Sequence, residues 1–352
     1  MPFVDEILKY KSLSVVGLEK NTGKTECLKY IMRRLEHSGR RLALTSIGVD
    51  GEKTDRVTGT AKPETDLYEQ VIFITSEKHY RQKRIHSEIL DLSTRHTALG
   101  RLVTARALSK GKVMFSGPTD TLWLKEVINQ MNQYNVDLTL VDGAISRLSP
   151  GSPAITQSMI LNTGAAVSAN TNRLISHTKF VYDLIRIPEM FDQKDIPNGH
   201  DSGDDKLKLR DKLLNLHSGV FALDESLTLH DLGIPSVFLL KDAGERLFRH
   251  GNIIYVTGAV SDRMLDFIRL QKEFKHTTLV IRDFTRLFVK PETYRSFIHS
   301  GHKIRVLLHT KLLAVCVNPV SPEGYILNSG ELCDGLSEAL QIPVYDIKRQ
   351  QP

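Results

Sequence analysis

Cysteine is scarce in this 352-residue chain. Its three cysteines, Cys27, Cys316 and Cys333, lie far apart in sequence, which argues against both a disulfide framework and the paired spacing of a zinc site. They read as small core residues. Aromatic residues make up only 7% of the chain and are scattered, so no repeated platform for stacked bases is visible. No run approaches the about 18 apolar residues of a bilayer-spanning helix, and the start, MPFVDEILKYK, lacks the apolar stretch of a signal peptide. A cytoplasmic protein without a membrane partner is expected. Charge of one sign is also missing: 47 Lys and Arg face 41 Asp and Glu, for a net +6. That balance identifies no anionic partner, and no nucleic acid is expected. The densest basic stretch, EKHYRQKR at 77–84, reads as a solvated helix face. Neither a Gly-x-Ser-x-Gly elbow nor a His-Glu-x-x-His motif occurs, so acyl-transfer and zinc-hydrolase chemistry lose their strongest support.

What the chain does have is 41% hydrophobic residues, enough for one large core or two medium ones. Apolar runs at Leu13–Val16, Leu42–Ile47, Val71–Ile74 and Val136–Val141 read as buried strands. Between them, 25–37 and 121–132 carry apolar residues at helical spacing. Ser38 and Gly39 close the first, and the single tryptophan, Trp123, packs in the second. Farther along, GVFALD, SVFLL, IIYVTGAV, TTLVIRD, IRVLLHT and LLAVCVNPV again look like strands. The alternation predicts an α/β fold: a P-loop NTPase-like parallel or mixed sheet followed by a carboxy-terminal α/β unit. A nucleotide-binding domain is expected over 1–190, a polar linker or exposed loop over 191–212, and an α/β domain or sheet extension over 213–352.

Residues 12–25, SLSVVGLEKNTGKT, set an apolar run directly before Gly-Lys-Thr. A phosphate loop needs glycine so that backbone amides can turn toward anionic oxygens, lysine to neutralise charge, and Ser or Thr to ligate magnesium. Gly23, Lys24 and Thr25 match those positions. Lys24 is expected on the β- and γ-phosphates and Thr25 beside the metal. Lys20, Asn21 and Thr22 complete the cofactor-binding loop, although an exposed lysine is the plain alternative for Lys20. Five residues separate Gly17 from Gly23, where the usual pattern has four, so Leu18 occupies the expected glycine position. Hydrolysis also needs carboxylates that organise metal and water. Asp142, at the end of VDLTLV, and Asp50, in SIGVDGEKTD, are the candidates, with Asp55 third.

Thr58, Thr60 and Lys62 suit a phosphate or second-substrate loop, and Arg147 could reach the site; solvent-exposed positions are the alternative for all four. Asn318 and Pro319 follow another strand-like run, where an asparagine can read a purine edge or simply close a turn. No Asn-Lys-x-Asp signature specifies guanine, so ATP with Mg2+ is the expected pair.

Together GLEKNTGKT (17–25), GRLVTARAL (100–108), VDGAISRLSP (141–150), LNTGAAVS (161–168) and VNPVSPEGY (317–325) resemble the KamB-type reactivase subunits of lysine 5,6-aminomutase systems. The resemblance spans most of the chain. It implies an ATP-using accessory protein of amino-acid fermentation that helps replace damaged cobalamin on the mutase, acting with a second ATPase subunit; a homo-oligomer is compatible with it. Gly23, Lys24 and Thr25 would bind phosphate, and Asp50 and Asp142 would attend the metal. The cobalamin would belong to the client, since no Asp-x-His-x-x-Gly sequence occurs. Two rivals remain: an ATP-dependent small-molecule ligase resembling dethiobiotin synthetase, and a noncatalytic nucleotide-dependent scaffold.

Overall fold

A computed structural model describes residues 2–48, 64–143, 152–191, 203–235, 244–271 and 276–349. The chain forms an α/β protein of two compact units, one made of Met1–Lys179 with Lys311–Pro352, the other of Phe180–Thr310.

The first unit opens with α1 (Phe3–Ile7), β1 (Ser12–Gly17), α2 (Lys24–Leu35) and β2 (Leu42–Ser46). There follow β3 (Thr65–Leu67), β4 (Ile72–Ser76), α3 (Glu77–Gln82), β5 (Ser87–Thr97), β6 (Gly100–Ala107) and β7 (Gly111–Val113). Then come α4 (Thr121–Gln130), β8 (Leu138–Asp142), β9 (Ser158–Gly164) and α5 (Thr171–Ile185), within which the division falls. The second unit holds α6 (Gly203–Leu214), β10 (Val220–Leu223), β11 (Leu229–Ile234), α7 (Gly244–Leu247), β12 (Ile253–Val256) and β13 (Val260–Ser261). It closes with α8 (Asp262–Leu270), β14 (Thr278–Ile281), β15 (Leu287–Phe288), α9 (Pro291–His299) and β16 (Lys303–Val306). The chain then returns to the first unit with β17 (Lys311–Asn318), α10 (Ser329–Leu340) and β18 (Val344–Asp346).

The main sheet of the first unit has nine strands in the order β18-β17-β9-β1-β8-β2-β4-β6-β5. From β18 to β4 all neighbours are parallel, and β6 and β5 add an antiparallel edge. Every residue of β1, β2, β4 and β9 is buried, as expected of strands covered on both faces. One side is covered by α2, whose Cys27, Leu28, Ile31 and Leu35 pack with Leu13, Val15, Leu44 and Phe73. Burying a side chain such as Leu28 or Ile31 contributes about 1.5–3 kcal/mol. Ala43, Ile72 and Ile74 form a second cluster with Trp123, Val127 and Met131, and Asp120 caps α4 by accepting from the Trp123 amide at 2.8 Å. The basic stretch at 77–84 contains α3, with His79 buried and Glu77 paired to Arg101 at 3.1 Å.

The described residues depart from the expected organisation at one point and divide its two alternatives at another. Residues 203–214, expected mostly within a linker, form α6, whose Leu213 is fully buried. Of the two alternatives for 213–352, each describes part of the segment: β10, β11, β12, β14 and β16 form a separate sheet, while β17 extends the first one by pairing in parallel with β9, from Lys311 opposite Ser158 to Asn318 opposite Gly164. Buried Ala314, Val315, Cys316 and Val317 thereby complete the first sheet. The apolar run alone could not reveal which sheet it joins. The predicted strand SVFLL, 236–240, lies outside the described residues.

The second unit has a five-stranded sheet in the order β11-β10-β12-β14-β16, parallel from β12 to β16 and antiparallel at β10. Its core includes Leu213, Phe221, Leu223, Tyr255, Val280 and Leu307. The buried Tyr255 hydroxyl is satisfied by donating to the Leu213 carbonyl at 3.0 Å. Among the described residues no helix is long and apolar enough to cross a membrane.

Candidate functional site

In a parallel sheet, loops after the carboxyl ends of the strands form the natural ligand crevice. Register sets four such ends side by side in the first unit: Val15 of β1 lies opposite Asp142 of β8, Gly17 opposite Asn162 of β9, and Gly164 of β9 opposite Asn318 of β17. The expected phosphate loop, 17–25, leaves β1 at this edge and enters α2.

Loop geometry explains its sequence. Gly23 precedes α2 with φ 91°, a left-handed conformation suited to glycine. A Cβ there would also come within 2.9 Å of the Asn318 Cβ. No side chain caps the helix, so its first N–H groups lack the usual internal partner and suit an anion. Gly17 answers a second need: a Cβ at that position would lie 2.3 Å from Thr22 Oγ1 and 3.0 Å from Lys24 Cδ. The Lys24 stem thus folds back over the end of β1. Close approach is met by Gly17 itself, and Leu18, in the position where a glycine was expected, is buried.

The expected cofactor residues divide into frame and lining. Thr22 is fully buried and its hydroxyl donates to the Glu19 carbonyl at 2.9 Å, holding the loop's curve. Asn21 takes a positive φ of 62°, and Lys20 is exposed. Lys24 and Thr25, the first two residues of α2, are half-buried. Burial lowers the Lys24 pKa to about 8, opposed by the negative charges of Asp142 and Glu19 and reinforced by Lys20. The Asp142 charge therefore acts on the lysine at the mouth of the loop. Asp142 ends β8 between β1 and β2, with its backbone carbonyl accepting from Ile47 and the next amide, Gly143, donating to Val15 at 3.0 Å.

Asn318 is drawn into the same loop from 297 residues away: its Nδ2 donates to the Asn21 carbonyl at 3.0 Å, while its Oδ1 accepts from Val320 N at 3.2 Å. These bonds use one amide proton and one acceptor position, tying the loop to β17 and closing the local turn at Val320. Pro319 is buried and its carbonyl accepts from Leu327 at 2.9 Å. Sequence reasoning missed Asn162. Buried on β9, it donates through Nδ2 to the Val16 carbonyl at 3.2 Å and accepts from Leu18 N at 2.9 Å through its backbone. Its Oδ1 is buried without a hydrogen-bond partner among the described residues. The one available signal was a polar residue closing the apolar run before Thr163 and Gly164.

Asp50, Asp55, Thr58, Thr60 and Lys62, together with Arg147, lie outside the described residues. Among the described ones no cluster of three or more His, Cys, Asp or Glu could hold a metal ion by itself. Thr25 and Asp142, the two described residues expected beside a metal, stand at the start of α2 and the end of β8. No protein-family model, curated protein or solved structure matches this chain.

Proposed function

We propose that the first unit is a P-loop NTPase-like module that binds ATP with Mg2+ at residues 17–25. The observation that carries this reading is the uncapped amino terminus of α2, entered through left-handed Gly23, with a half-buried lysine as its first residue. In this role the α2 amides and Lys24 hold the phosphates, while Thr25 and Asp142 hold magnesium, with Asp50 as a further metal-site carboxylate. Bound magnesium would offset the charge that develops during phosphoryl transfer. The family resemblance extends the reading to a biological role, that of a cytoplasmic reactivase component for adenosylcobalamin-dependent lysine 5,6-aminomutase, working with a second ATPase subunit to exchange damaged cofactor. Nucleotide can drive such exchange only by binding one conformation more strongly than another.

The test has two stages. Calorimetric titration with ATP and magnesium should show binding that Lys24→Ala weakens by about 10- to 100-fold, the value of a charge-assisted contact. ADP formation is then followed with inactivated aminomutase and, separately, with small carboxylic acids. Stimulation by the inactive mutase supports the reactivase. Stimulation by a small acid alone would favour the ligase, and binding without turnover the scaffold. Unchanged ATP binding in the folded Lys24→Ala protein would remove the loop assignment itself.

A further inference from the structure

The second unit gathers cationic side chains at the carboxyl ends of its parallel strands. Two ladders bracket the place: Val256 of β12 lies opposite Ile281 of β14, and Val260 of β13 opposite Leu287 of β15. Between these ladders one strand pair is joined by residues 257–259 and the other by residues 282–286. The longer connection begins with Arg282 and ends with Arg286 in a single 3-10 turn capped by Asp283. The shorter contains Gly258, where an added Cβ would meet open space.

Within residues 282–286 two guanidinium groups accompany one carboxylate, that of Asp283. Asp283 is fully buried, and both of its oxygens are used: Oδ2 accepts from Arg282 Nε at 2.7 Å, and Oδ1 accepts from the amide and hydroxyl of Thr285. Arg286 forms no ion pair among the described residues, and its Nε is buried without a hydrogen-bond partner. Burial first, and then the neighbouring positive charge of Arg282, lower its pKa against the opposite pull of Asp283. An unpaired buried donor on a charged group is costly. A negatively charged ligand beside the guanidinium offsets that cost without having to reach the buried Nε. Arg286 as a whole remains partly exposed, and the planar fork of arginine suits an oxyanion.

We infer that Arg286 and Arg282 form an oxyanion-binding site in the second unit, independent of the nucleotide site, for a phosphate ester or a carboxylate. Its test uses the full chain labelled with 15N-arginine, following the guanidinium Nε–H signals during addition of inorganic phosphate or acetate, with chloride at matched ionic strength as control. Because the signals report Arg282 and Arg286 directly, phosphate held at residues 17–25 does not enter the readout. Saturable shifts of both signals are expected, and Arg286→Lys should weaken the response of Arg282 at least tenfold. Arg286→Gln serves the same purpose if the lysine variant does not fold. A response to phosphate but not acetate identifies a phosphorylated ligand, and an equal response to acetate a carboxylate. Shifts absent with both probes, or no larger than with chloride, would overturn the site.

Discussion

Lys24 lies with its stem over Gly17, and burial there depresses its pKa to about 8. Since an unfolded lysine titrates near about 10.4, the unfolded chain holds more protons than the folded one across the interval from about 8 to 10.4. The contribution of this group to stability therefore rises with pH through that window. On the proposed reading nucleotide reverses the balance, because phosphate favours the charged amine. At pH 8, ATP binding should take up about half a proton, and affinity should fall as pH rises further. Calorimetry in buffers of different ionisation enthalpy measures the uptake; zero uptake would contradict the combination of a depressed Lys24 pKa and a lysine–phosphate contact. Asn318 offers a second residue-level test. Asn318→Ala removes bonds to Asn21 and Val320, each worth about 0.5–1.5 kcal/mol, so ATP should bind at least about 5-fold more weakly. Inorganic triphosphate should weaken equally if Asn318 positions the loop, whereas only ATP would suffer if it reads the base.

At the scale of elements, β17 shows the limit of local pattern. Its apolar residues identify a strand, yet their value lies in a neighbour more than a hundred residues away. Removing residues 311–352 would leave β9 with an unpaired edge and strip Ala314, Cys316 and Ile347 from the core that also holds α2. Val315, Val317, Leu332 and Leu336 are also fully buried, at about 1.5–3 kcal/mol each. Their sum reaches the whole stability of an ordinary domain, about 5–15 kcal/mol. A chain ending at Thr310 should accordingly lose the cooperative unfolding of the first unit and its ATP binding. A soluble 1–310 protein that still bound ATP would show that β17 is dispensable. Helix α6 illustrates the opposite error, since its many charged residues masked a helix whose Leu213 is fully buried.

For the whole molecule, each unit has its own sheet and core, so the full chain should unfold in two calorimetric transitions. Mg-ATP at one hundred times its Kd adds about 2.7 kcal/mol to the unit that binds it. For a unit of this size that corresponds to a rise of roughly 5–10 °C in one transition. The other should stay in place, and Lys24→Ala should abolish the rise. Movement of both transitions together would show that the units do not unfold independently.

Much of the frame is local information. Strands buried on both faces favour apolar residues, so β1, β2, β4 and β8 are legible within a residue or two, and Gly23 marks the start of α2 because the left-handed turn there suits glycine. Strand order, the return of β17 and the convergence of Asn162 and Asn318 on the loop depend on contacts between distant residues, for which adjacent sequence carries no periodic signal. Composition and spacing thus determined the kinds of element and the phosphate-loop candidate. Only the tertiary structure decided what surrounds that loop, because neighbours across a sheet are chosen by packing and register rather than by position along the chain.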